Sequence, residues 1–157
     1  MLSDDVFRVK LRTTFAALER AVAPLETQAQ LEIAQTPAYV RLSLIPHAIG
    51  ACPVEIMLRA DQFYDIAIAS EFYEDCRIER LDLFEPLILA VADGNVIQRH
   101  HISAATGVQR EIETIVTLPG GALWQKGYED ARFANAIPDD HTILRDRRFL
   151  PYRRVIR

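Results

Sequence analysis

The hydrophobic pattern that predicts the fold lies in residues 28–45, QAQLEIAQTPAYVRLSLI. Apolar and polar residues alternate on either side of a turn at Thr36-Pro37, which is typical of two strands with one buried face. Pro46 ends the second strand because proline cannot donate to a ladder. Strands with short connections are predicted over residues 28–33, 39–45, 54–59 and 63–70. At this spacing the sequence predicts an antiparallel meander.

A helix is predicted before this meander and another after it. The first covers about residues 4–22, with its apolar residues on one stripe. The second covers Asp82–Asp93, where Asp82 and Glu85 have the spacing of a capping box and Gly94 suits the left-handed position after a helix. Apolar residues cover most of its circumference. It must therefore be buried on two sides, by the sheet and by either the first helix or another subunit.

A hairpin with a three-residue loop is predicted over residues 96–117. In the predicted register Arg99 lies opposite Glu113, and His101 lies opposite Glu111, on a charged face. The other face is apolar, as cross-strand pairing favours. Two shorter elements are predicted to follow, a strand at residues 122–124 and one or two helical turns over residues 128–136.

The composition fits one folded domain of ordinary size. The chain has 157 residues, of which half are apolar and a quarter are charged, so a substantial core is available and general disorder is excluded. A formal net charge of −4 argues against a dedicated nucleic-acid binder. Residues 145–157 nevertheless contain six arginines and one acid, whereas the rest of the chain is acidic. We therefore expect an acidic body and a basic tail.

No secretory signal or membrane-spanning segment is predicted. Residues 1–5, MLSDD, lack the basic start of a secretory signal. The longest apolar run, Pro86–Ala92, is much shorter than a membrane span. Cys52 and Cys76 do not form a Cys-x-x-Cys motif, and a secreted disulfide scaffold of this size would usually contain more cysteines. We expect two reduced, buried thiols and a cytoplasmic protein with no membrane partner.

His100 is the strongest single candidate for acid–base catalysis. Adjacent residues on a strand point to opposite faces, so His100 and His101 cannot serve one site together. The predicted register places His100 toward the core, where burial would adapt an imidazole to proton transfer. It gives His101 an ordinary charge pair with Glu111. A hydrogen-bonded structural histidine is the simpler interpretation of His100.

Neither a metal site nor a cofactor is predicted. Four residues could supply zinc ligands, namely His47, Cys52, Cys76 and His101. Structural zinc sites place their ligands in close pairs, and the sequence offers one near match without a second pair. The segment Asp139-Asp140-His141 follows a proline and is more typical of a turn than of a catalytic site. Phosphate-binding and nucleophile motifs are absent from the sequence.

The basic tail offers candidate interaction residues. Arginines and aromatic residues are interleaved from Arg147 onwards, as in segments that stack on RNA. The tail could instead dock on the acidic body or on the acidic stretch 71–82 of a second subunit, and docking is the interpretation we favour. The candidate interaction residues are Leu83 and Leu87 on the second helix and Arg147, Arg148, Arg153 and Arg154 in the tail.

The predicted architecture is a two-layer α+β domain over residues 1–137, followed by an arginine-rich C-terminal arm over residues 138–157. Two helices cover a predominantly antiparallel sheet of about six strands. Over residues 3–118 the order of elements, a helix, a strand meander, a helix and a strand pair, resembles that of type III secretion chaperones. The resemblance implies a small acidic dimer that binds partner proteins. An extra strand and the arginine-rich arm depart from that pattern.

The leading hypothesis for function is a non-enzymatic adaptor-like or chaperone-like protein that forms a homodimer and binds another protein. The apolar second helix and the lack of a coherent catalytic constellation favour it. The alternative is a small-ligand-binding protein or enzyme with a pocket lined by Tyr64, His100 and Trp124. A third hypothesis is RNA binding through the arginine-rich arm, which would depend steeply on salt.

Overall fold

The computed structural model describes residues 2–129 and 140–153. Within these ranges it contains two α-helices, α1 at Asp4–Val22 and α2 at Phe84–Ala92, and nine strands in two antiparallel sheets. Short 3-10 turns follow α1 and precede α2. The α+β class is therefore confirmed, with two sheets where the sequence predicts one. No helix in the described part of the chain is long and apolar enough to span a membrane.

The first sheet is a five-stranded meander whose strands lie in sequence order. Its strands are β1 (Ala29–Gln35), β2 (Tyr39–Pro46), β3 (Val54–Arg59), β4 (Phe63–Ile68) and β5 (Glu71–Arg77). The first four confirm the predicted antiparallel meander. Their alternating apolar residues meet on one face, where Leu42 lies opposite Ile56 and Leu58 lies opposite Tyr64. This face is buried in the core.

The strand β5 is missing from the sequence prediction because its alternation is interrupted. Its buried residues, Tyr73 and Cys76, are three positions apart, whereas a regular strand places same-face residues two apart. The register between β4 and β5 shifts between Tyr64 and Ile66, and Asp75 adopts a left-handed φ of 53°. A bulge of this kind hides a strand from any search for a period of two.

The second sheet contains β6 (Val96–Ser103), β7 (Gln109–Thr117), β8 (Leu123–Glu129) and β9 (Thr142–Arg148), in the spatial order β8-β7-β6-β9. The predicted hairpin register is confirmed, with Arg99 opposite Glu113 and His101 opposite Glu111. The helical turns expected from residue 128 are wrong for residues 128–129, because these residues continue β8 alongside β7. The rest of that predicted segment, residues 130–136, lies outside the described part of the chain.

The helices and both sheets share one hydrophobic core. Helix α1 contributes a single buried stripe, as predicted, made of Phe7, Leu11, Phe15, Leu18 and Val22. Helix α2 is buried nearly all round, with Leu87 and Ile88 completely inaccessible to solvent. Helix α1 and strand β7 pack against it. The two-sided burial that its sequence requires is therefore satisfied within this chain, and α2 needs no second subunit as a cover.

The two ends of α2 compare differently with the sequence prediction. The carboxylate of Asp82 accepts hydrogen bonds of 3.0 and 2.8 Å from Arg80 and does not cap the helix. Helix α2 begins at Phe84 without a side-chain cap. The C-terminal end is as predicted, because Gly94 has a left-handed φ of 82°. A Cβ at Gly94 would stand 2.7 Å from the backbone nitrogen of Pro151, so the glycine also allows the C-terminal segment to pass close to the helix.

Candidate functional site

Tyr64 and Trp124, two of the three predicted pocket residues, meet at a cleft of about 530 Å³. The indole Nε1 of Trp124 donates a 3.1 Å hydrogen bond to the hydroxyl of Tyr64. Both side chains are almost completely buried, so they form the floor of the cleft. Burial raises the pKa of the Tyr64 hydroxyl, and the bond from Trp124 opposes that rise. The volume lies within the usual range for small-ligand sites.

The rim of this cleft combines apolar and charged side chains. It is formed by the segment before α2, the start of α2 and the connection between β7 and β8. Arg80 and Asp82 neutralise each other on the rim. Arg77 and Lys126 line the cleft and form no ion pair with any described residue, while Glu79 is the remaining acid. The cleft therefore has an apolar floor and two available positive charges.

His100, the third predicted pocket residue, does not line this cleft. It is half-buried on β6, and its Nδ1 lies 2.6 Å from Oε1 of Gln109. Burial raises the pKa of the Glu71 carboxyl, and the charge of His100 opposes that rise. Among the described residues, His100 interacts with the Gln109 amide and the Glu71 carboxylate. Neither group is a typical nucleophile for a histidine to activate. The arrangement favours structural hydrogen bonding over acid–base catalysis.

The two predicted interaction residues of α2 lie in different environments. Leu87 is completely buried in the core, so its side chain is not available to a partner. Leu83 is partly exposed just before the helix, where it lines the rim of the Tyr64–Trp124 cleft. The difference follows from the late start of α2, which leaves Leu83 in the preceding 3-10 turn.

The basic arm supplies an edge strand of the second sheet. Its residues 142–148 form β9, which pairs with β6 and is held there by two bonds of 2.9 and 3.1 Å between Arg99 and Asp146. All seven residues of β9 are exposed, and no described strand lies along its outer edge. Residues 142–148 of the arm therefore dock on the body of their own chain, as one of the predicted alternatives required. Among the predicted interaction residues, Arg147, Arg148 and Arg153 are exposed, and Arg154 lies outside the described ranges.

The two aromatic residues of the arm are buried. Phe149 is 6% exposed and Tyr152 is 3% exposed. The Tyr152 hydroxyl bonds to a buried carbonyl, and burial raises the pKa of this hydroxyl. The guanidinium of Arg147 lies over the Phe149 ring at 4.8 Å. These two rings are therefore not available for stacking on nucleic-acid bases.

Asp140 has a structural role, as expected for an acid that follows a proline in a turn. Its carboxylate accepts hydrogen bonds from the hydroxyl of Ser103 at 2.6 Å and from the backbone N–H of Ala105 at 3.0 Å, and it pairs with Arg110. The bond from Ser103 and the others together hold the pKa of Asp140 below its usual value. They tie the start of β9 to the loop between β6 and β7. Asp139 lies outside the described ranges.

One group of potential metal ligands was not predicted from the sequence. His101, Glu111 and Glu113 lie together on the second sheet, and in the described ranges they are the one group of three His, Cys, Asp or Glu close enough to share an ion. The cysteines and His47, considered as zinc ligands above, are not part of it. The signal was present in the predicted register, which placed His101 opposite Glu111 and diagonal to Glu113.

Comparisons with known proteins identify no relative. No protein-family model, no curated protein and no solved structure matches this chain. The resemblance in element order to type III secretion chaperones therefore gains no support from these comparisons.

Proposed function

We propose that this protein is a non-enzymatic interaction domain that binds an acidic, extended segment of a partner protein along the outer edge of β9. The observation that supports the proposal most directly is the exposure of all seven residues of β9, three of which are arginines. A strand with one unpaired edge and a strong charge is suited to recognising a second strand of opposite charge.

The backbone of β9 would supply the affinity. Among the described strands it pairs with β6 alone, so the N–H and C=O groups along its other edge are available to a further strand. Ile143 and Leu144 are 45% and 54% exposed on opposite faces and would add apolar contact. Asp146 fixes β9 to the sheet through Arg99, so the edge is already in the extended form that a partner requires.

The side-chain charge would select the partner. Arg145, Arg147 and Arg148 are exposed, whereas Asp146, the one acid of β9, is already paired with Arg99. An acidic segment would therefore meet positive charge on both faces of the edge. A basic segment would be repelled, which excludes many wrong partners.

A second copy of the chain fits this edge less well than a different protein. The acidic stretch around β5 is the natural candidate in a homodimer, but Asp75 is bound to Arg59 at 2.5 Å and Asp82 to Arg80 at 2.8 Å. Two of the five acids in residues 71–82 are thus already paired within their own subunit. A partner protein is therefore the preferred occupant, and homodimerisation is an alternative outcome of the test.

Fluorescence anisotropy with labelled extended peptides tests this proposal. The probes are a peptide of alternating glutamate and valine, its counterpart with lysine in place of glutamate, and single-stranded poly(U) RNA. The double variant Arg145→Glu/Arg147→Glu reverses the charge of the edge. The matched control is Arg8→Glu/Arg12→Glu, which reverses two exposed arginines of α1.

We expect the acidic peptide to bind the wild-type protein and the α1 variant equally, and to bind the β9 variant at least about tenfold more weakly. No binding of the acidic peptide, or an equal loss in both variants, overturns the proposal. Binding of poly(U) without the acidic peptide assigns the arm to nucleic acid instead. Light scattering adds one more outcome, because a dimer that dissociates in the β9 variant and ignores the peptide assigns the edge to self-association.

Binding of a small anionic ligand in the Tyr64–Trp124 cleft is a second candidate function. The apolar floor favours a ligand with an apolar body. Arg77 and Lys126, which form no ion pair with a described residue, favour a carboxylate or phosphate group on that ligand. A thermal-shift screen of aromatic and aliphatic carboxylates tests it. A ligand of this cleft would raise the unfolding temperature of the wild-type protein but not of Lys126→Ala, and a screen without any such compound counts against it.

The environment of the cysteines supports a cytoplasmic location, which we propose together with this function. Cys52 and Cys76 are both buried and unpaired. Burial raises the pKa of the Cys52 thiol to about 12, so it is poorly suited to form the thiolate that disulfide exchange requires. Two inert thiols suit a compartment in which disulfides do not form.

A further inference from the structure

Three potential metal ligands meet on the outer face of the second sheet, which is turned away from the core. His101 lies on β6, and Glu111 and Glu113 lie on β7, opposite and diagonal to it. One ligand atom from each lies within 4.8 Å of the other two. The side chains of His101 and Glu113 are 22% and 16% exposed, and Nε2 of His101 is hydrogen-bonded to Oε1 of Glu113. We name these three residues the outer-face cluster.

The dimensions of the outer-face cluster suit a single small ion. Ligand atoms bound at about 2.1 Å lie at most about 4.2 Å apart across an ion. No two ligand atoms of the cluster are more than 4.8 Å apart, so side-chain rotations that move these atoms by less than an ångström would close it around the ion. One imidazole nitrogen and two carboxylate oxygens form a donor set that suits Zn²⁺ and Mn²⁺. The two carboxylates would also balance the charge of a divalent ion.

A glycine on the neighbouring strand keeps space for the two carboxylates. Gly127 of β8 lies opposite Glu113. A Cβ at this position would stand 3.0 Å from Oε1 of Glu111 and 3.2 Å from Cγ of Glu113. Glycine inside a strand is unfavourable for stability, yet a Cβ here would force the side chains of Glu111 and Glu113 to shift by a few tenths of an ångström. This feature is independent of the hydrogen bonds within the cluster, and it preserves the convergence of the ligand atoms.

The surroundings orient the cluster without cancelling its negative charge. Nε2 of Gln125 donates a hydrogen bond to Oε2 of Glu113, which restrains the carboxylate as an outer partner of a metal ligand does. The nearby cation, Arg99, is itself held by Asp146 at 2.9 Å.

We propose that His101, Glu111 and Glu113 bind one divalent transition-metal ion, Zn²⁺ or Mn²⁺. Three protein ligands leave coordination positions open at the surface of the sheet, where water or an acidic group of a bound molecule completes the shell. The competing interpretation is a histidine–glutamate ion pair that needs no metal.

Isothermal titration of the chelator-treated, full-length protein with ZnCl₂ and MnCl₂ tests this proposal. The chain provides a matched control, because His100 is the adjacent histidine on the opposite face of the same strand. The variants are His101→Ala, Glu111→Gln and Gly127→Ala, with His100→Ala as the control. Circular dichroism of each variant establishes that it is folded. The visible absorption of bound Co²⁺ gives a second readout, which reports the ligand set directly.

We expect one ion per chain in the wild-type protein and in His100→Ala. The affinity should fall by more than about tenfold in His101→Ala and Glu111→Gln, and also in Gly127→Ala, which retains every ligand but crowds two of them. The Co²⁺ bands should disappear in His101→Ala and remain in His100→Ala. An affinity unchanged in His101→Ala, or no binding of either ion to the wild-type protein, overturns the proposal and leaves the ion pair.

Discussion

The hydroxyl of Tyr152 donates a 2.6 Å hydrogen bond to the backbone carbonyl of Cys52, which joins residues 100 positions apart in the buried core. The backbone N–H of Tyr152 also donates to the carbonyl of Ala92 at 2.8 Å. Asp140 ties down the chain before β9 in the same way. Strand β9 is therefore held at both ends, and its exposed arginines project from a fixed part of the fold.

Removing the Tyr152 hydroxyl should destabilise the protein measurably. We expect Tyr152→Phe to lower the free energy of unfolding by about 1 to 3 kcal/mol, because the buried carbonyl of Cys52 loses its donor. Tyr39→Phe is the matched control, since Tyr39 is half-exposed and its hydroxyl forms no hydrogen bond with a described residue. Its effect should stay within about 0.5 kcal/mol. Urea denaturation measures both, and equal changes would contradict the role of Tyr152.

A comparison of Gly94 with Gly120 separates two contributions to the loss of stability on substitution. One is the left-handed backbone conformation, and the other is the close contact of Gly94 with the C-terminal segment. Gly94 and Gly120 both have a left-handed φ, of 82° and 88°. A Cβ at Gly120 meets nothing within 4 Å, whereas one at Gly94 would stand 2.7 Å from the nitrogen of Pro151. Gly120→Ala should cost about 1 kcal/mol for the conformation alone. Gly94→Ala should cost at least about 1 kcal/mol more, because the C-terminal segment must move. Equal costs in thermal or urea unfolding would show that the segment does not pack there.

A buried pair of hydroxyl groups contributes to the contact between the two sheets. The hydroxyls of Tyr73 on β5 and Thr114 on β7 are 2.8 Å apart. We expect Thr114→Val, which keeps the side-chain shape, to lower the free energy of unfolding by about 1 kcal/mol. Thr117→Val at the exposed end of the same strand should change it by less than about 0.5 kcal/mol. The prediction fails if the two variants unfold at the same denaturant concentration.

The hydrogen bonds and ion pair of Asp140 should make the free energy of unfolding depend on pH in the acid range. Its pKa is lowered in the folded protein, so it contributes stability above the ordinary aspartate pKa of about 4 and loses that contribution as the pH falls through the lowered value. Asp140→Asn should therefore be less stable than the wild-type protein at pH 7, and the difference should shrink below about pH 4. Asp93→Asn, at an exposed position, is the control. A difference that stays constant over this range would show that the charge of Asp140 is not involved.

Local periodicity was sufficient to predict much of this fold. Alternation of apolar residues located β1 to β4, and the three-residue loop between β6 and β7 placed Arg99 opposite Glu113 in the observed register. The stripe of α1 is also as predicted. Each of these features depends on residues close together in the chain, and a strand or helix with one buried face must repeat its apolar residues at a characteristic interval. A register slipped by one residue would have turned the core-facing apolar residues of one strand, such as Val96 or Val116, to solvent.

The site residues were predicted less well than the elements that carry them. Tyr64 and Trp124 do share a cleft, but His100 does not, because its place depends on how the second sheet packs against the first. Strand β9 has no apolar alternation, since both of its faces are exposed, and it exists because β6 offers an edge and because Tyr152 and Asp140 anchor its ends. The alternation of apolar residues along the sequence thus determined the strands that have one buried face. Contacts between distant residues decided the bulged strand, the edge strand and the grouping of the candidate site, because those depend on burial and pairing that no local period encodes.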